Sequence, residues 1–177
     1  HELAHGLAAV VTGGRIVSLT VTPDQGGLAV TQGGSRFWVL SAGYLGSLAL
    51  GLTVFAAALV SRADRLVLGL LGVVILGAAA FYIREGFALL FCLTVGGAML
   101  AGAWLLPRVG ADLVLRVIGL ASMIYVPYDI VSDTILRAGE RSDARMLAEE
   151  FGGATMLWGG LWLLLSLAVL WLGLRLI

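Results

Sequence analysis

Charge is what this sequence has least of. Only 12% of its 177 residues are charged and 60% are hydrophobic, with a mean hydropathy of +1.02. Soluble domains carry about a quarter charged residues, so this balance argues against a soluble domain and indicates an integral membrane protein. Lysine is missing altogether. The eleven basic residues are all arginine, matched by eleven acids, and they form no basic stripe of the kind that binds nucleic acid. The single cysteine, Cys92, lies between Phe91 and Leu93, which rules out an internal disulfide and leaves it an apolar packing role. No internal repeat or low-complexity linker divides the chain, so one domain over residues 1–177 is expected. Histidine is nearly as scarce as cysteine: there are two, and both fall in the first five residues.

Those five residues, His1-Glu2-Leu3-Ala4-His5, lead into an apolar run from Gly6 to Val11. Residues four apart share one face of a helix, so the two imidazoles can converge on one metal ion with Glu2 beside it. Zinc takes nitrogen ligands readily, and a catalytic zinc holds three protein ligands with a fourth position open to water. Glu2 is then the candidate general base. A pair of metal-free surface histidines fits poorly here, because such groups are costly to bury beside an apolar segment without a partner. Since the sequence starts on a ligand of this helix, a native continuation upstream is expected, carrying any signal sequence or first span.

The zinc-motif helix is expected over residues 1–12, ending at Gly13-Gly14. Two β-branched runs, Arg15–Thr22 and Leu28–Thr31, flank Pro23-Asp24-Gln25-Gly26-Gly27 and predict a β-hairpin over 15–31. It is too short and polar to cross a bilayer, and is expected at the membrane face or in a protein-lined cleft. Membrane helices are predicted at 37–60, 66–83, 86–106, 113–136 and 154–177. The run from Phe37 to Val60 has 24 residues without a charge, and its Gly43, Gly46, Ser47 and Gly51 suit close helix approach. With the opening helix this makes an all-α polytopic protein of about six transmembrane helices plus the hairpin. Arginines divide almost evenly between the two faces, so the hairpin side reads as cytoplasmic only by a small margin.

The fourth of these spans carries Tyr128-Asp129-Ile130-Val131-Ser132-Asp133. An Asp at the centre of a membrane helix costs about 2.5–3.5 kcal/mol on insertion scales, so two acids at i and i+4 need a reason. A metal supplies one, and a carboxylate is the ligand the opening helix lacks. Pro127 removes a backbone hydrogen bond beside Asp129 and can open a polar cleft there. His5 lies seven residues before Thr12 and Asp129 seven before Leu136, which places both ~10 Å from their helix ends. Asp129 is therefore the expected third ligand, and Asp133 the alternative, or a partner that orients a ligand histidine. In a further reading both acids are interfacial and Asp133 pairs with Arg137. Arg141-Ser142-Asp143-Ala144 is expected to cap a helix running through Glu150, with capping favoured over chemistry for both Ser142 and Asp143.

These residues resemble the site-2 proteases, zinc metalloproteases that cut peptide bonds within membranes. The resemblance rests on His1-Glu2-x-x-His5 on an apolar helix, an Asp on a later membrane helix and a glycine-rich span after a hairpin. The chain is most similar to the compact branch of bacteria, fungi and plants. There the zinc motif runs into Gly-Gly-Arg, as at Gly13 to Arg15, followed by elements like Gly43-Tyr44-Leu45-Gly46, Tyr128 to Asp133, and Ser142-Asp143-Ala144. It departs from better-known members, in which the ligand aspartate stands in Leu-Asp-Gly, whereas Asp129 here is followed by Ile130.

The resemblance implies Zn2+ held by His1, His5 and Asp129, with Glu2 as catalytic base. It further implies a membrane-protein substrate cut in or near its transmembrane helix, and a multi-pass protein of the bacterial inner membrane. The hairpin could pair with the extended substrate as an added strand. Two other classes stay open: an inactive relative that binds a partner helix or holds zinc structurally, and a metal transporter. The second should place acids at several depths, but the remaining acids fall in loops or near helix ends.

Overall fold

The computed structural model describes residues 1–23, 26–137, 139 and 141–175. Asp24 and Gln25 of the expected turn, Ala138 and Glu140 of the polar loop, and the last two residues of the final predicted span lie outside these. The elements are α1 (Glu2–Val11), β1 (Arg15–Val21), β2 (Gly27–Gln32), α2 (Arg36–Val60), α3 (Asp64–Tyr82), α4 (Gly86–Leu105), α5 (Arg108–Val131), a π-helical turn (Ser132–Leu136), α6 (Asp143–Phe151) and α7 (Thr155–Leu174). The protein is a polytopic helical membrane protein with one small hairpin, as the sequence predicts.

Among the described residues, five helices are long and apolar enough to cross a bilayer: α2, α3, α4, α7, and α5 with its π turn. At ten residues α1 is not, because at 1.5 Å per residue it covers only about half of a ~30 Å hydrocarbon core. The outward faces are apolar: Trp104, Leu113 and Leu164 are all more than 60% exposed, as suits helices solvated by lipid. α5 starts at Arg108, earlier than the predicted 113, because its charges find partners. The Arg108 guanidinium donates to Asp64 (2.9 Å), and Arg116 donates to Asp112 one turn back (3.0 Å).

The packing axis is α2 against α5. Leu40, Tyr44, Leu48 and Phe55 of α2 interlock with Met123, Val126 and Ile130 of α5, with Ala144 and Leu147 of α6, and with Trp162 of α7. α3 and α4 pair with each other, and a second cluster joins them to the hairpin through Leu19, Ala79, Ile83, Ala88 and Cys92. Cys92 thus has the apolar packing role expected of it. The strands are antiparallel, pairing Arg15 with Gln32 and Val21 with Gly27, with an irregularity between Ile16 and Ser18. The hairpin lies on α1 and reaches α3 and α4 through β1.

Two of these contacts fix where α1 sits. On one side the hairpin covers it. On the other, Gly46 of α2 leaves no room for a side chain, since a Cβ there would stand 2.8 Å from the Ala4 methyl. Close approach of this kind is the use of small residues in membrane helices, and it brings the opening helix against α2 one turn from Gly43.

Candidate metal centre

His1 stands at the N-terminal edge of α1, and His5 one turn on. Their rings meet edge to face, with centroids 4.7 Å apart. A carbonyl oxygen can only accept, so the 2.7 Å contact between His5 Nδ1 and the Val39 carbonyl is donated by the ring. That assigns the Nδ1 proton, so that in a neutral ring Nε2 would be the nitrogen with the free lone pair. Nε2 of His5 points at Asp143 Oδ2 (3.1 Å), and Nε2 of His1 points at the same oxygen (3.1 Å). Among the described residues, His1, His5 and Asp143 form the one group of three whose possible ligand atoms all lie within 4.8 Å of one another.

The sequence expectation placed Asp129 with the two histidines, and the geometry brings Asp143 there. Asp129 is buried and close, but it faces the other side of His1: its Oδ2 lies 3.3 Å from Nδ1. The carboxylate and the Val39 carbonyl thus play matching parts, each holding the Nδ1 of one imidazole while both Nε2 atoms converge. Asp133, the alternative, has Tyr44 and Arg137 as its hydrogen-bond partners among the described residues. Tyr44 donates its hydroxyl at 2.5 Å and Arg137 its guanidinium at 2.6 Å, the latter being the i+4 pair that the sequence offers. Tyr44 is fully buried and sets its ring edge to face against His1, centroids 5.0 Å apart.

Asp143 reaches the site because of how α6 is built. Its buried residues, Asp143, Ala144 and Leu147, form one face of a short amphipathic helix laid against α2, while Arg145 and Glu149 pair on the outside (2.9 Å). Arg36 of α2 holds the far end through Glu150 (2.9 Å). The capping expected of Ser142 or Asp143 is done by Ser142, whose hydroxyl accepts from the Arg145 amide (3.3 Å). Two adjacent residues able to cap, where a helix needs one, were the available signal that Asp143 had another use.

Charge in the cluster is mutually stabilised. Burial acts to raise the Asp143 carboxyl, but hydrogen bonds to His1 and His5 outweigh it and hold the group below the usual carboxylate range. Burial acts to lower His1, yet bonding to Asp129 and Asp143 prevails and lifts it to about 10. His5 rises for the same reason, against burial, through Asp143. Glu2 is pushed up, chiefly by burial, although His1, His5 and the Ala29 amide oppose this. β2 passes directly over Glu2, for a Cβ on Gly27 would stand 2.6 Å from its Oε1.

The donor set suits zinc: two imidazole nitrogens and one carboxylate oxygen. Gly43 of α2 keeps these atoms clear of a side chain, for a Cβ there would overlap Asp143 Oδ2 and stand 2.5 Å from His1 Nε2 and 2.6 Å from His5 Cε1. The cluster opens into a cleft of about 660 Å³ lined by α1, the hairpin, the start of α2, Ile75 of α3, α4, the second half of α5 and the start of α6.

Compared with known protein families, residues 1–173 match the model described as Peptidase M50B-like. No curated protein and no solved structure matches the chain. The chain therefore belongs to the Peptidase M50B-like family, and is a membrane metallopeptidase of the site-2-protease type.

Proposed function

We propose that the protein is a zinc-dependent intramembrane endopeptidase in which His1, His5 and Asp143 hold the metal, Glu2 is the catalytic base, and Asp129 positions His1. One observation carries this reading: both Nε2 atoms and Asp143 Oδ2 converge on the space that Gly43 leaves open. When bound, zinc supplies Lewis acidity, polarising a peptide carbonyl and making water acidic enough at neutral pH to attack it.

The chain's own groups do the rest. Asp129 and the Val39 carbonyl hold the two Nδ1 atoms, keeping each Nε2 lone pair on the metal side. Glu2, raised above the usual carboxylate range and set in the cleft, accepts the water proton and delivers it to the leaving amide nitrogen. The substrate is a membrane protein cut in or near its transmembrane helix, in a bacterial plasma membrane. β2 borders the cleft at Gly27, Leu28 and Ala29, and among the described residues β1 is its one strand partner. An unwound substrate segment added there would gain backbone hydrogen bonds.

The test measures zinc per chain in mild detergent for wild type, Asp143→Ala, Asp129→Ala and Asp133→Ala, and cleavage with Glu2→Gln. About one zinc in wild type, lost with Asp143→Ala, weakened with Asp129→Ala and kept with Asp133→Ala, is expected, with Glu2→Gln holding zinc and cutting nothing. Full loss with Asp129→Ala and full retention with Asp143→Ala would return the third ligand to Asp129. No zinc in folded wild-type protein would overturn the enzyme.

A further inference from the structure

We propose that the end of the molecule remote from the metal centre holds the phosphate of an anionic phospholipid, between Arg62, Arg65 and Arg108 and beside Trp104. The inference rests on the membrane-spanning architecture and is independent of the peptidase reading. As spans, α2 to α5 run in alternate directions, so the α2–α3 loop and the α4–α5 turn come out on the face opposite the hairpin. The C-terminal end of α7 joins them there. That face carries Arg62, Arg65, Arg108, Arg116 and Arg175 against Asp64 and Asp112. Among the described residues at the hairpin end, acids instead outnumber arginines, and Arg36, Arg137 and Arg145 face Glu150, Asp133 and Glu149.

The fold gathers three of the arginines with too few carboxylates to match them. Arg65, in the first turn of α3, donates Nε to the Ala103 carbonyl (2.7 Å) and Nη2 to that of Trp104, at the end of α4. Arg108, the first residue of α5, donates Nε to Asp64 (2.9 Å), the neighbour of Arg65 in sequence. Both guanidiniums are thus tied to one junction of α3, α4 and α5. Arg62 stands in the loop just before it, exposed and with no hydrogen-bond partner among the described residues. A guanidinium has five N–H donors, so the bonds of Arg65 and Arg108 leave donors to spare. The counter-charge is hidden, for the Asp64 side chain is 2% exposed and that of Arg108 53%. Three cations over one buried carboxylate leave two positive charges in excess.

Around the junction the surface is apolar. Trp104 is 79% exposed, and Leu66, Leu105 and Val109 are exposed as well. An indole at the end of a membrane helix sits at the level of the lipid headgroups, and a guanidinium fork matches two phosphate oxygens at once. A phospholipid supplies both halves of the complement: phosphate for the arginines, and acyl chain for the apolar side chains next to them. The two excess charges select an anionic headgroup, since a zwitterionic one brings its own ammonium.

The experiment places the full chain in phosphatidylcholine vesicles and follows fluorescence quenching by lipids brominated near the headgroup. The Trp104 signal is the difference between the protein and its Trp104→Phe variant. Brominated phosphatidylglycerol should quench it more strongly than the same fraction of brominated phosphatidylcholine. Arg62→Gln should lower that preference about fivefold, the worth of one arginine at an anionic leaflet, and Arg62→Gln combined with Arg65→Gln should abolish it. Arg62 makes no hydrogen bond to the described residues, so its single variant keeps the test open if the double variant fails to fold. Arg145→Gln, at the hairpin end, should leave the preference in place. Equal quenching by the two lipids, a preference that survives the double substitution, or an equal fall with Arg145→Gln would overturn the site. Soluble glycerol phosphate in excess should change nothing, and displacement by it would make the ligand a free phosphate ester and overturn the lipid.

Discussion

Two buried aspartates, at opposite ends of the molecule, invite comparison. Asp64 and Asp143 each sit in the first turn of a helix, where the dipole favours a carboxylate, and each is less than 10% exposed. Asp64 faces the Arg108 guanidinium, and its Oδ1 has no hydrogen-bond partner among the described residues. Asp143 faces two imidazoles. Burial and helix position are alike, so the difference lies in the partners. A guanidinium is permanently charged and offers no lone pair, which makes the Asp64 pair a fastening between the starts of α3 and α5. Imidazoles can give up a proton and ligate, which makes the Asp143 group a place where a metal can replace protons.

The comparison can be broken by exchanging which end is damaged. Asp143→Ala should reduce zinc to near zero per chain with the fold intact by circular dichroism, and Gly43→Val should do the same by filling the ion's space. Retained zinc in both would mean that the two ends do not differ in kind. Arg108→Ala should leave zinc unchanged and instead cost about 3–5 kcal/mol of stability, the usual penalty for stranding a buried charge. A thermal or denaturant unfolding series in detergent would show it as a lowered midpoint.

Smaller effects sharpen the picture within the site. Asp129→Asn should weaken zinc binding by about 10–100-fold, as loss of an orienting carboxylate does at other metal sites. Competition with a chelator of known affinity measures this, and complete loss of zinc would instead make Asp129 a ligand. Tyr44→Phe removes the hydroxyl from Asp133 and should cost about 1 kcal/mol in stability. Its ring stays in place beside His1, so zinc affinity should move least of all in this series.

Much of this was legible in the sequence for local reasons. A helix repeats every 3.6 residues, so His1 and His5 had to share a face, and Glu2 had to lie beside them. Charge-free runs gave the spans, and Pro23 to Gly27 between β-branched runs gave the hairpin. Arg137 lies one turn from Asp133, so that pair was legible as well. Counting residues along α1 and α5 also put Asp129 at the depth of the histidines, and it does reach His1.

Residue counting yields distance along a helix axis, but not the direction a side chain takes around it. That rotation was left to the packing of α5 on α2, which turned Asp129 to His1 Nδ1 and not to the side where both Nε2 atoms meet. Asp143 lies 142 residues from His1 in sequence, beyond any periodic signal. It arrives because α6 buries Ala144 and Leu147 against the α2–α5 core. The sequence by itself determined the helix that carries His1, Glu2 and His5 on adjoining faces and the membrane-spanning architecture, since each follows from contacts within one segment. Tertiary structure alone decided which carboxylate meets the two histidines, because that depends on how separate helices rotate and dock.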